Sequence, residues 1–319
     1  MSRSTIVPRI LSMIIAIALV FAGAASINSA TQTMGGPSKT TPGDLPIVKL
    51  PKELTTGPSI EAGNPHATPP GQDKKPKPPE PPEEPNTNKW AVVIGIADYY
   101  GRDYDLWHAD EDAKEMYDVL VNTYGFAKDN VKLLINRKAK FSAIDSAIDW
   151  LIQNEDNQSS VVFFFSGHGF RVDDGWDPDQ DTDVETDGKD EGIVSYEFIG
   201  ITDGYLKDKL SALESTKVVL GFGSCNSGGM FDDDDDLQAV NRVIVSACKA
   251  DQYAWDYLLL GNTLWGKYFV DEGLLQGLAD PDGDDSIEEA HGYAYPRVIV
   301  LQPDSQPQLS DEYSGELIP

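Results

Sequence analysis

From residue 89 onward the chain alternates between two apolar patterns. Short unbroken runs of strand length, rich in β-branched and aromatic residues, occur at WAVVIGIA (90–97), NVKLLIN (130–136), SSVVFFFSG (159–167), TKVVLGFGSC (216–225), NRVIVSAC (241–248) and RVIVLQ (297–302). Between them, HADEDAKEMYDVLVNTYG (108–125) sets Ala109, Ala113, Met116, Leu120 and Val121 on one helical stripe and closes at Gly125. FSAIDSAIDWLIQN (141–154), LKDKLSAL (206–213) and NTLWGKYFVDEGLLQGL (262–278) read as further helices. Strands alternating with helices predict an α/β domain: a mostly parallel sheet of roughly six strands with helices on both faces. The continuous apolar character of VVFFF (161–165) suits a strand buried on both sides. Ligands of such sheets sit at the carboxyl ends of the strands.

The first 88 residues lack this alternation. Arg3 and Arg9 precede the apolar run ILSMIIAIALVFAGAA (10–25), which contains Ala22 and Ala24 in an Ala-x-Ala pattern. Residues 1–30 therefore read as a signal peptide, or as a membrane anchor that tethers the chain through residues 10–25. Either places the remainder outside the cytoplasmic membrane, secreted or at the cell surface. Residues 31–88, with KKPKPPEPPEEP as their extreme, cannot bury a core and read as a disordered Pro-rich spacer or pro-segment. Residues 89–319 are left to carry the fold.

Charge narrows the partners. With 25 Lys and Arg against 53 Asp and Glu, the net charge of −28 argues against nucleic acid and anionic lipid, both polyanions. Two cysteines are too few for a disulfide scaffold in an exported protein, so each must be placed individually.

Of the four histidines, only His168 lies on a glycine-bounded turn after a buried strand, in SGHG. The following strand ends in SCNSGG, which puts Cys225 at the same sheet edge if the two strands are neighbours. Cysteine catalysis needs a thiolate, a base to form it and backbone N–H groups for the oxyanion. Flanking glycines leave room for a substrate backbone and free such amides. The pattern points to a Cys-His dyad.

SGHG and SCNSGG after successive core strands resemble the caspase-like cysteine peptidases, in particular their metacaspase-type prokaryotic branch. WAVVIGIADYYG, DLWHADEDAKEM, ACKADQYAWD and LLQGLADPDGDDSIEEAHGYA extend the resemblance over nearly all of residues 89–319. It implies Cys225 as nucleophile, His168 as general base, and the amides of Gly169 and Cys225 as the oxyanion hole. It also implies cleavage of a peptide or protein substrate after Arg or Lys, with Asp112 at the pocket floor and Ser166 lining it. The family's second acid, two residues before the cysteine, is replaced here by Gly223. One carboxylate can still pair with a basic side chain, but holds arginine less firmly.

Between the two turns lies DDGWDPDQDTDVETDGKDEG (173–192), suited either to a solvated, self-repelling loop or to a hard cation. The resemblance implies Ca2+, with Asp183, Asp190 and Asp232 as ligands. DPDGDDSIEE (280–289) departs from calcium-loop spacing and reads as an acidic helix start. No Lys or Arg occurs from Asn226 to Asn241, so cleavage after basic residues would leave a single chain; Lys74, Lys75 and Lys89 offer sites in or beside the spacer. Cys248, closing the fifth strand, is either a buried thiol or within reach of a bridge to Cys225. The rival readings are an inactive, calcium-binding interaction module of the same fold and a nucleotide-binding protein. The chain lacks the phosphate-loop spacings the latter needs.

Overall fold

The computed structural model describes residues 88–319, except 102, 174–186, 233–236, 281, 282 and 284. The signal segment, the spacer up to residue 87 and Asp183 lie outside the described residues.

A six-stranded sheet carries the domain. Its strands are β1 (Lys89–Gly95), β2 (Val131–Ile135), β3 (Ser160–Ser166), β7 (Val218–Gly223), β8 (Arg242–Ser246) and β9 (Gln308–Asp311), in the order β2-β1-β3-β7-β8-β9. The first five run parallel; β9 pairs with β8 antiparallel. All seven residues of β3 are buried, as expected of a central strand covered on both faces. One face, with Val92, Phe163, Phe165, Leu220 and Ile244, packs on α2 (Phe141–Asn154) and α3 (Asp203–Leu210). The other, with Val93, Phe164, Val219 and Val245, packs on α1 (Ala109–Asp118), α4 (Leu264–Gly266) and α5 (Ile287–Leu301). Both α1 and α4 run on into π-helical turns, Val119–Thr123 and Lys267–Leu275.

Two elements differ from the sequence pattern. RVIVLQ is not the last strand: it closes α5, whose buried residues Ile287, Ala290, Ala294 and Val298 follow helical spacing. A capping box between Ser286 and Glu289 starts that helix, and it accommodates Pro296 in its interior. The β-branched composition at the end of α5 signals a strand, yet Val300 is 77% exposed and fills no strand position. The sheet edge is taken instead by the polar segment QLSD of β9. Second, the acidic insertion is flanked by strands. β4 (Gly169–Asp173), β5 (Lys189–Val194) and β6 (Gly200–Thr202) form a separate antiparallel sheet in the order β4-β5-β6. Lys89, a spacer-side cleavage candidate from sequence, sits in β1 and donates from Nζ to the carbonyls of Tyr124 (2.8 Å) and Pro319 (2.6 Å), which fixes it in the fold. Among the described residues no helix is long and apolar enough to cross a membrane.

Candidate active site

Register brings the two glycine-bounded turns together. Gly95, Ser166 and Gly223 are aligned across β1, β3 and β7, so both turns leave the sheet at its carboxyl edge, side by side. The Gly167 N–H donates to the Gly223 carbonyl at 3.2 Å. Gly169 is pressed so closely onto the backbone of Cys225 that any Cβ there would collide with the Cys225 carbonyl oxygen. Only glycine permits that approach.

His168 is nearly buried, at 3% exposure, and its ring is held from three sides. Its backbone N–H donates to the Tyr99 hydroxyl at 2.7 Å, its ring lies 4.7 Å from that of Tyr99, and Phe198 packs at 6.3 Å. Nε2 is 2.8 Å from the Tyr104 carbonyl oxygen. A carbonyl only accepts, so Nε2 carries the proton and the basic lone pair of the neutral imidazole is on Nδ1. Burial, with the Cys225 thiol nearby adding to it, keeps the Tyr99 phenol protonated.

Cys225 follows β7 on a turn whose next residue, Asn226, adopts a left-handed conformation (φ 59°) that asparagine tolerates. The turn is tied to the loop after β8. The Asn226 N–H donates to the Gln252 carbonyl (2.9 Å) and its side-chain amide to Ala250 (2.6 Å), while the Cys225 Sγ lies 3.7 Å from the Ala254 carbonyl. Cys225 and Cys248 are both free thiols, so of the two sequence readings the structure contains the buried thiol. Cys248 Sγ meets the carbonyls of Gln252 (3.3 Å) and Ser224 (3.4 Å), and burial pushes its pKa up to about 12.

Asp112 and Ser166 also come together. Asp112 is fully buried at the start of α1; its carboxylate accepts from Ser166 Oγ (2.8 Å), Thr263 Oγ1 (2.7 Å) and the Thr263 N–H (3.1 Å). Burial pushes its pKa up to about 7, against the pull of the Thr263 and Ser166 hydroxyls. Where the resemblance led to a second acid, a side chain on Gly223 would meet Ser166 Oγ at 3.1 Å and the indole of Trp265 at 3.2 Å. That space belongs to an aromatic stack: Trp265 lies 6.0 Å from Phe164 and 4.5 Å from Phe269.

Of the residues implied as calcium ligands, Asp190 and Asp232 lie among the described residues. Asp190 and Glu191 are successive in β5 and so face opposite sides of their sheet. Both are buried, and Glu191 feels the charge of Asp232. Burial raises the Glu191 carboxyl, Arg171 pulls it back towards the ionised form, and Asp232 adds to the rise. Arg171, directly opposite in β4, donates from Nε to Glu191 Oε1 at 2.5 Å and pairs through its other end with Asp187. Arg171, Asp187 and Asp232 line one cleft of about 370 Å³. A guanidinium thus stands among the carboxylates that a cation would need. Among the described residues no three His, Cys, Asp or Glu side chains converge as metal ligands would.

Tyr99, Tyr104, Thr263 and the Arg171–Glu191 pair were not singled out from the sequence. Tyr99 was within reach, since it lies just past β1 at the same sheet edge. Tyr104 and Thr263 act through a backbone carbonyl and a loop hydroxyl, which carry no pattern.

The caspase domain model matches residues 88–308. Metacaspase-4 of Arabidopsis thaliana is 32% identical over 151 residues, covering 46% of this chain and 35% of that protein. Metacaspase-3 of the same plant is 31% identical over 161 residues, covering 46% and 42%. The chain therefore spans well under half the length of these curated relatives. A crystal structure of a Geobacter sulfurreducens protein shares the fold, with a TM-score of 0.54 and 17% identity over 72% of this chain and 94% of that one.

Proposed function

The chain belongs to the caspase domain family, and from that premise we propose that it is a cysteine endopeptidase working through Cys225 and His168. The observation that carries this reading is the Nε2 contact of His168 with the Tyr104 carbonyl, which leaves Nδ1 as the base beside the turn of the nucleophile. Nδ1 takes the Sγ proton as the thiolate attacks the scissile carbonyl. The oxyanion forms against the amides of Gly169 and Cys225, and His168 then returns the proton to the leaving amine. Water, deprotonated by the same imidazole, hydrolyses the acyl-enzyme. Hydrolysis of a peptide library by wild type and Cys225→Ala tests this. We expect turnover to vanish in the variant; equal rates would leave only a binding module.

We further propose cleavage after Arg or Lys. Asp112 is the carboxylate beside Ser166, and a basic side chain entering there would hold it ionised. Arg, Lys and Asp reporter peptides decide the matter, and a preference for Asp would overturn the assignment. Export rests on Arg3, Arg9 and the apolar run 10–25; the amino terminus of the mature protein, read by mass spectrometry, would lack that run.

A further inference from the structure

Arg171 occupies a junction. It lies in β4, the strand that begins directly after His168, and its register partner across the small sheet is Glu191. Glu191 in turn packs on the turn that follows the nucleophile, so tightly that any side chain at Gly229 would collide with its carboxyl group. The Gly229 N–H closes that turn by donating to the carbonyl of Asn226, next to Cys225. A single chain of contacts therefore runs from the strand that follows His168, through Arg171 and Glu191, to the turn that bears Cys225. Near it are two more acids, Asp187, paired with the other end of the guanidinium, and Asp232, on the wall of the same cleft.

A buried carboxylate among other acids needs a positive charge, and either a divalent cation or a fixed guanidinium can supply it. A guanidinium is the stiffer solution here, since its planar fork can hold two carboxylates at once without exchanging with solvent. We propose that Arg171 is a positioning residue that supplies this charge from within the chain, so that the peptidase orders its two catalytic turns without calcium. The inference rests on the peptidase reading for its activity arm only.

Two measurements test it on the full chain. In the first, peptide hydrolysis is followed for wild type, Arg171→Gln and Arg171→Lys, each with a chelator and with millimolar Ca2+. Wild type should change less than twofold between the two conditions. Arg171→Gln should lose at least tenfold in kcat with KM little altered, and Ca2+ should restore part of it; Arg171→Lys should recover most of the rate. In the second, Tb3+ luminescence and Ca2+ competition are recorded on Cys225→Ala with Arg171 intact or changed to Gln. We expect no saturable site below millimolar Ca2+ with Arg171, and a new one without it. A micromolar Ca2+ site in the protein with Arg171, loss of wild-type activity on chelation with recovery on Ca2+, or full activity of Arg171→Gln would each overturn the proposal. Should Arg171→Gln fail to fold, the wild-type titration and Arg171→Lys still decide. A protein that hydrolyses no peptide sinks the peptidase reading, while the cation titration continues to judge this one.

Discussion

Along β3 of the large sheet, seven residues in a row are buried, and the buried carboxylate of Asp112 at its edge is met by two hydroxyls and an amide. Across β4 and β5 of the small sheet, the buried carboxylate of Glu191 has a full charge, Arg171, as its partner. Neutral donors can stay in place whether a carboxyl is ionised or not, because a hydroxyl turns from donor to acceptor. A guanidinium has no such option. The large sheet thus fixes His168 and Cys225 by packing and strand register. The small sheet braces the same two turns by charge, and is the part that solution conditions can reach.

Substitution at the junction of the two sheets should have the largest effect. Gly169→Val drives a side chain into the backbone of Cys225, separating the turns, and about 100-fold or more should be lost in kcat/KM. Activity within a few-fold of wild type would mean that the small sheet absorbs the displacement and braces nothing. Next comes packing: Phe164→Ala removes a buried ring from the stack on Trp265 and should cost about 3–5 kcal/mol in denaturant unfolding. Val172→Ala in the small sheet should cost only roughly 1–2 kcal/mol. Equal costs would erase the distinction between the sheets.

A pH series on Asp112→Asn sharpens the contrast further. Between the ordinary carboxylate value of 3.8 and about 7, folded Asp112 holds a proton that the unfolded chain has released. Stability from this group is therefore present below that window and falls as pH rises through it. The stability of wild type relative to Asp112→Asn should decline from pH 4 to pH 7; a rise would reverse the assignment of burial as the dominant cause. Smallest is salt. Raising sodium chloride from about 0.05 to about 0.5 M screens the partly exposed pairs Arg171–Asp187 and Lys189–Asp173 and should shift unfolding by less than about 1 kcal/mol. A larger shift would make the small sheet a principal source of stability.

How far the sequence discloses this molecule follows the same division. Strands β1, β3, β7 and β8 are continuous apolar runs, and register alone then sets SGHG beside SCNSGG, so the adjacency of the two turns was legible. The small sheet was not. Its strands RVD and KDE are charged segments at the rim of an acidic loop, where strand propensity is weak and the pairing of Arg171 with Glu191 makes up for it. Asp190 drew attention as the acid nearest in pattern; strand alternation turns it and Glu191 to opposite faces, and both are buried. The end of α5 misleads in the opposite sense: RVIVL carries β-branched residues, but the capping box at Ser286 has already committed the segment to a helix.

The sealed position of Cys248 has a practical consequence. Its sulfur faces carbonyls and its thiol stays protonated at any ordinary pH, so it is a poor target for electrophiles. On the proposed reading of Cys225 as nucleophile, the folded protein offers iodoacetamide one reactive sulfur, although its sequence holds two. On that reading the mass added per chain counts accessible nucleophiles, a stoichiometry of one marking the folded protein and a stoichiometry of two marking unfolding.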